Sequence, residues 1–199
     1  MELTHSRTVK ITGIFLILAA ISQPLYTALY LGAPEFDRQF LWGLEALLFV
    51  LLAAFAGSAL VRAKRSTLGF SAIAFSAVLN VVQVGVGLTQ FGPFREAAKL
   101  NGDLSVLASS VGAFSFFSYN AAKILLGLAA IVFGMSMIGT GKKILGGAAA
   151  LLGAVAFIAN SSVMMFGSQS LIPSPLAGGS GVSATLLLGL CLLSVSRED

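Results

Sequence analysis

The chain has 199 residues, 57% of them hydrophobic and only 10% charged, and its mean hydropathy of +0.94 excludes an ordinary soluble domain. The formal net charge of +4 comes from Lys and Arg gathered in short breaks between apolar runs, which is a topology signal and argues against a nucleic-acid partner. Cys191 is the only thiol and His5 the only imidazole, so no intrachain disulfide, bis-histidine haem or His- or Cys-rich metal site is expected, and no cofactor.

The apolar runs exceed or approach the roughly 20 residues a helix needs to cross the hydrocarbon, and none shows the short alternation of a membrane barrel. The expected fold is therefore an all-α integral membrane protein, one transmembrane domain over residues 1–199. Its six helices lie near 11–31, 40–61, 67–91, 116–138, 144–167 and 180–195. The first resembles a signal peptide in having a basic stretch before an apolar one, but its apolar run continues through Leu31 and reads as an uncleaved helix.

The breaks "GAPEFDRQ", "VRAKRS", "GPFREAAKLNGDLS", "GTGKK" and "SQSLIPSPLAGGS" combine Gly and Pro with charge. Between the third and fourth helices, residues 93–111 mix apolar and charged side chains, as either a helix on the membrane surface or a polar loop. The last break reads as irregular. With the N-terminus inside, Arg7, Lys10, Arg62, Lys64, Arg65, Lys142, Lys143 and Arg197 are cytoplasmic and only Arg38, Arg95 and Lys99 are outside. Both termini are then cytoplasmic, in what reads as a bacterial inner membrane.

A helical hairpin appears twice. "FLWGLEALLFVLLAAFAG" from Phe40 matches "FSYNAAKILLGLAAIVFG" from Phe117 in its Phe, its aromatic residue (Trp42 with Tyr119) and its closing glycine (Gly57 with Gly134). Each continues into a basic turn, and Asn80 matches Asn160 after a three-residue shift. This suggests a parallel repeat, with chance similarity in a low-complexity sequence as the alternative. Ala53 with Gly57, Ala130 with Gly134, and the small residues from Gly146 to Gly153 suit close helix packing.

Counting from the basic turns gives depth. Lys123 lies 19 residues before Lys142, roughly 28 Å along a helix. Glu45 lies about 26 Å from Arg62, Asn80 about 23 Å from Arg65, and Asn160 about 26 Å from Lys143. Gln83, Tyr119 and Asn120 fall at the same level, in the outer third, while the inner halves are almost wholly apolar. That layering argues against a permanently open pore and is compatible with a pocket on the outer side.

Lys123 has two readings: its stem snorkels along apolar surface to the headgroups, or its ammonium pairs with Glu45. The amides of Asn80, Gln83, Asn120 and Asn160 suit interhelical hydrogen bonds as well as ligand contacts. Glu45, Asn80, Gln83, Tyr119, Asn120, Lys123 and Asn160 are thus the candidate ligand-binding residues.

The leading expectation is a small non-catalytic membrane protein that holds a lipophilic small molecule, a membrane partner subunit or a second copy of itself through this outer polar layer. Two alternatives are an intramembrane enzyme with Glu45 as general acid or base, and a small secondary transporter.

Overall fold

The computed structural model describes residues 3–33 and 39–195. Residues 34–38, including Arg38, and Arg197 lie outside the described residues. Among the described residues the fold is all-helical, and six helical segments are long and apolar enough to cross a membrane. Seven α-helices run in chain order among the described residues: α1 His5–Gly32, α2 Gln39–Arg62, α3 Thr67–Thr89, α4 Phe91–Leu100, α5 Ser105–Gly139, α6 Lys143–Phe166 and α7 Ser174–Ser194.

Three helices begin earlier than the sequence suggests. α1 starts at His5 rather than near residue 11, with Thr4 Oγ1 accepting from the Arg7 amide at its cap. α5 starts at Ser105 rather than near residue 116, because its polar first turns satisfy themselves: Ser109 donates to the Ser105 carbonyl and Ser110 to that of Val106. At 35 residues it is about 52 Å long, well beyond the roughly 30 Å hydrocarbon layer. α7 starts at Ser174 inside the stretch expected to be irregular. Its first turn contains Pro175, whose missing N–H has no intrahelical partner to lose there. Between α3 and α5, the charged segment forms the short helix α4, with Arg95 over the ring of Phe91 at 5.2 Å.

The six long helices are arranged as a ring with one outlier. α1 packs on α2 and α7, α2 on α3, α3 on α5, and α5 on α7, while α6 fits into the angle between α5 and α7. The α1 backbone does not approach that of α5. Leu16, Phe49, Leu52, Ile73, Leu126 and Leu188 are fully buried between the helices and form the apolar core. In each membrane-spanning helix only 28% to 50% of the most apolar window is buried, leaving apolar surface for lipid.

Lipid tails are as apolar as leucine, so association here rests on close packing rather than on removal of surface from water. A Cβ added to Gly134 would lie 2.6 Å from the Gly146 carbonyl, and one added to Gly153 would lie 2.7 Å from that of Gly127. The α5 and α6 backbones therefore touch, as the small-residue pattern leads one to expect. Gly13 and Gly189 do the same between α1 and α7. Gly57, the counterpart of Gly134 in the suspected repeat, has nothing within 4 Å. The two glycines occupy unlike environments.

At the end of the bundle where α1 and α3 begin and α5 and α7 finish, a cavity of about 830 Å³ opens among Arg7, Lys10, Arg62, Lys64 and Arg65.

Candidate functional site

α1 carries the polar pair Ser22–Gln23 in an otherwise apolar run, directly before Pro24. Eighteen residues separate Gln23 from His5, or about 27 Å of helix. The pair thus lies at the depth of Glu45 on α2 and Lys123 on α5, and the structure brings the four residues together.

Lys123 turns inward. It is only 1% exposed, so its stem does not snorkel along the lipid face. The ammonium donates to Gln23 Oε1 at 2.9 Å and sits 5.1 Å from the centre of the Tyr119 ring, one turn earlier on the same helix. Glu45 is buried on α2, and its Oε1 accepts from the Ser22 hydroxyl at 3.1 Å. Ser22 and Gln23, adjacent on α1, thus serve Glu45 and Lys123 respectively. These two neighbouring side chains therefore join the carboxylate and the ammonium into one cluster, the Ser22 hydroxyl toward Glu45 and the Gln23 carbonyl toward Lys123.

Neither charged group is fully provided for. An ammonium has three donors, and Lys123 uses one on a neutral oxygen while a second face meets a π-system. The Ser22 hydroxyl has one hydrogen but contacts two acceptors, Glu45 Oε1 and the Ala19 carbonyl at 2.9 Å. Buried charges with this little compensation are costly to hold, by several kcal/mol for each ion.

Small residues of α7 make room for the lysine. A Cβ on Gly181 would come within 2.9 Å of Lys123 Cδ, and one on Gly178 would lie 3.6 Å from the Tyr119 hydroxyl. About one turn further toward the α4 end, Tyr26 and Trp42 stack at 5.2 Å. Phe91 meets the Trp42 ring edge-on at 5.7 Å, and the same indole lies against Gly87. This aromatic layer closes the cluster on the side away from the basic end.

The remaining candidates do not join it as one pocket. Asn80 donates back to the Ser76 carbonyl on its own helix, and Asn120 to that of Phe116. Asn160 donates to Ala156 and across to the Ala177 carbonyl, tying α6 to α7. Gln83 is half-buried, and its backbone carbonyl accepts from Ser115. Asn80 and Asn160 nevertheless each keep a buried side-chain oxygen without a partner.

Ser22 and Gln23 are the residues the sequence reading missed. Their signal was available: they form a polar pair at the depth that singled out Glu45 and Lys123.

Comparison of the chain with protein-family models, with curated proteins and with solved structures gives no match.

Proposed function

We propose that this chain is a small, non-catalytic multi-pass membrane protein that binds a lipophilic small molecule, or a polar helix of a membrane partner, at the Glu45–Gln23–Lys123 cluster. The observation that carries this reading is Lys123 itself. An ammonium that is 1% exposed and hydrogen-bonded to a single neutral side chain retains donors for a ligand oxygen. Glu45, served by a shared hydroxyl, retains acceptor capacity for a ligand hydroxyl or amide. A molecule with an apolar body and one carbonyl or hydroxyl head group meets both needs.

Native mass spectrometry of the protein extracted in mild detergent tests this. The wild type is expected to carry a bound lipophilic compound or partner that the Glu45→Gln/Lys123→Met double variant loses. Equal retention by both proteins would end the proposal.

The proposal extends to topology. Both termini are cytoplasmic in a bacterial inner membrane, and the α2–α3 and α5–α6 hairpins form a parallel repeat. Support for the orientation comes from the convergence of Arg7, Lys10, Arg62, Lys64 and Arg65 at one end of the bundle. Support for the repeat remains the sequence match of the two hairpins.

One observation favours a second reading, secondary transport. The basic-end cavity is bounded by helices of the ring that holds the polar cluster, and the buried Leu16, Leu126 and Leu188 lie between the two levels. A cavity, an apolar barrier and a buried charged site in series form the outline of an alternating-access path. Solute uptake into proteoliposomes that depends on Lys123 would select this reading, and binding without uptake would select the first.

A further inference from the structure

The basic-end cavity is a feature that the cluster reading does not use. Its walls come from the start of α1, the turn between α2 and α3, and the last turns of α5 and α7. Five cations, Arg7, Lys10, Arg62, Lys64 and Arg65, line it together with the hydroxyls of Ser6, Ser66, Ser136 and Thr140, and among the described residues no acidic side chain is in the lining. The floor is apolar, with Phe70 and Phe133 in edge-on contact at 5.0 Å beside Val9 and Leu192.

Residues that merely set topology need only lie near the membrane surface, and mutual repulsion would spread them apart. Here they line one half-open cavity of about 830 Å³, ample for a solute much larger than a simple ion. His5 on the same wall stands edge-on to Phe70 and has a buried Nδ1 with no hydrogen-bond partner. Ser66, the residue before α3, lines the cavity and makes no side-chain cap to its own helix, so the first α3 amides take no acceptor from it. The cavity is bounded by α1, the end of α2, α3, α5 and α7, and none of its lining residues comes from α6, so it lies at one end of the helix ring.

We infer that this cavity is a binding site for a water-soluble organic phosphate that enters from the aqueous phase. The phosphate sits among Arg7, Lys10, Arg65 and the α3 N-terminus, and the ligand's apolar or aromatic part rests on Phe70 and Phe133. Multiple cations and the first α3 amides match a doubly charged oxyanion, and Arg in particular binds phosphate through paired hydrogen bonds. The apolar floor distinguishes an organic phosphate from inorganic phosphate.

The test is ligand-induced thermal stabilisation of the full chain in nanodiscs of phosphatidylcholine, with adenosine 5′-monophosphate, adenosine and inorganic phosphate as probes. The monophosphate is expected to raise Tm, inorganic phosphate to do so more weakly, and adenosine not at all. Arg7→Gln/Arg65→Gln is expected to weaken the apparent affinity for the monophosphate by about tenfold or more. Arg7→Lys/Arg65→Lys, which preserves charge and topology signals, recovers part of that loss. Both arginines are exposed, and neither side chain is hydrogen-bonded within the described residues, so the variants are expected to fold.

A Tm unmoved by either phosphate would overturn the inference, as would an equal response in wild type and the Gln variant. Stabilisation by nanodiscs containing phosphatidylglycerol, with none from the soluble probes, would overturn it in favour of a lipid headgroup.

Discussion

Lys123 on α5 donates a hydrogen bond of 2.9 Å to Gln23 on α1, across a ring in which the backbones of those two helices do not meet. The contact spans the interior of the bundle and joins two residues a hundred positions apart in sequence. It also makes Gln23 the principal acceptor for a buried charge.

Gln23→Leu is accordingly expected to destabilise the protein by about 1.5–3 kcal/mol, the usual range for removing a hydrogen bond to a charged group. Adding Lys123→Met should restore part of the loss, because the double variant no longer buries an unsatisfied ammonium. Reversible unfolding in mixed micelles of increasing SDS fraction measures both. A double variant that is weaker by the sum of the two single losses would show that the contact does not form.

Ser22 divides one hydroxyl hydrogen between Glu45 and the Ala19 carbonyl. Ser22→Ala should therefore cost about 1 kcal/mol in wild type, and less than half of that when Glu45→Gln is already present. The same unfolding assay provides the check, and an identical cost in both backgrounds would contradict the assignment.

The glycines give a graded series. Gly134→Ala places a Cβ 2.6 Å from a carbonyl oxygen and 2.7 Å from a backbone nitrogen of α6, so the helices must separate, with an expected loss on the order of 2 kcal/mol. Gly181→Ala meets the flexible stem of Lys123 and should cost less. Gly57→Ala meets nothing within 4 Å and should be neutral or stabilising, by up to about 1 kcal/mol from helix propensity. A different order in measured stabilities would argue against the packing described.

Asn160 bonds across to α7, whereas Asn80 bonds only within α3. Asn160→Leu should destabilise by about 0.6–1.7 kcal/mol, the range for interhelical hydrogen bonds in lipid, and Asn80→Leu by distinctly less. Matching losses in SDS unfolding would refute the distinction.

Helix number and the shared level of Glu45 and Lys123 along the bundle were legible in the sequence because both depend on run length and on charge at the helix ends. The outward count placed Glu45 and Lys123 at one level, and the structure places them in one cluster. Azimuth was not legible. In a soluble helix the apolar stripe shows which face is inward, but a membrane helix is apolar all round, so nothing in "AAKILLGL" shows whether Lys123 faces lipid or protein. Gln23 was missed for the related reason that α1 reads as one continuous apolar run in which two polar residues look incidental. The early starts of α5 and α7 were hidden by serines that bond back to their own helix and by a proline in the first turn, both of which resemble breaks in a linear reading.

The most direct measurement is the double-mutant cycle between Glu45→Gln and Lys123→Met, read as unfolding free energy in SDS and mixed micelles. The two groups are held by adjacent side chains of α1, Ser22 and Gln23, so the cycle should give a coupling of about 1 kcal/mol or more, with the double variant more stable than additivity allows. Losses that add to within about 0.3–0.5 kcal/mol would show that the charges are independent, and that Glu45 and Lys123 do not form one interior site.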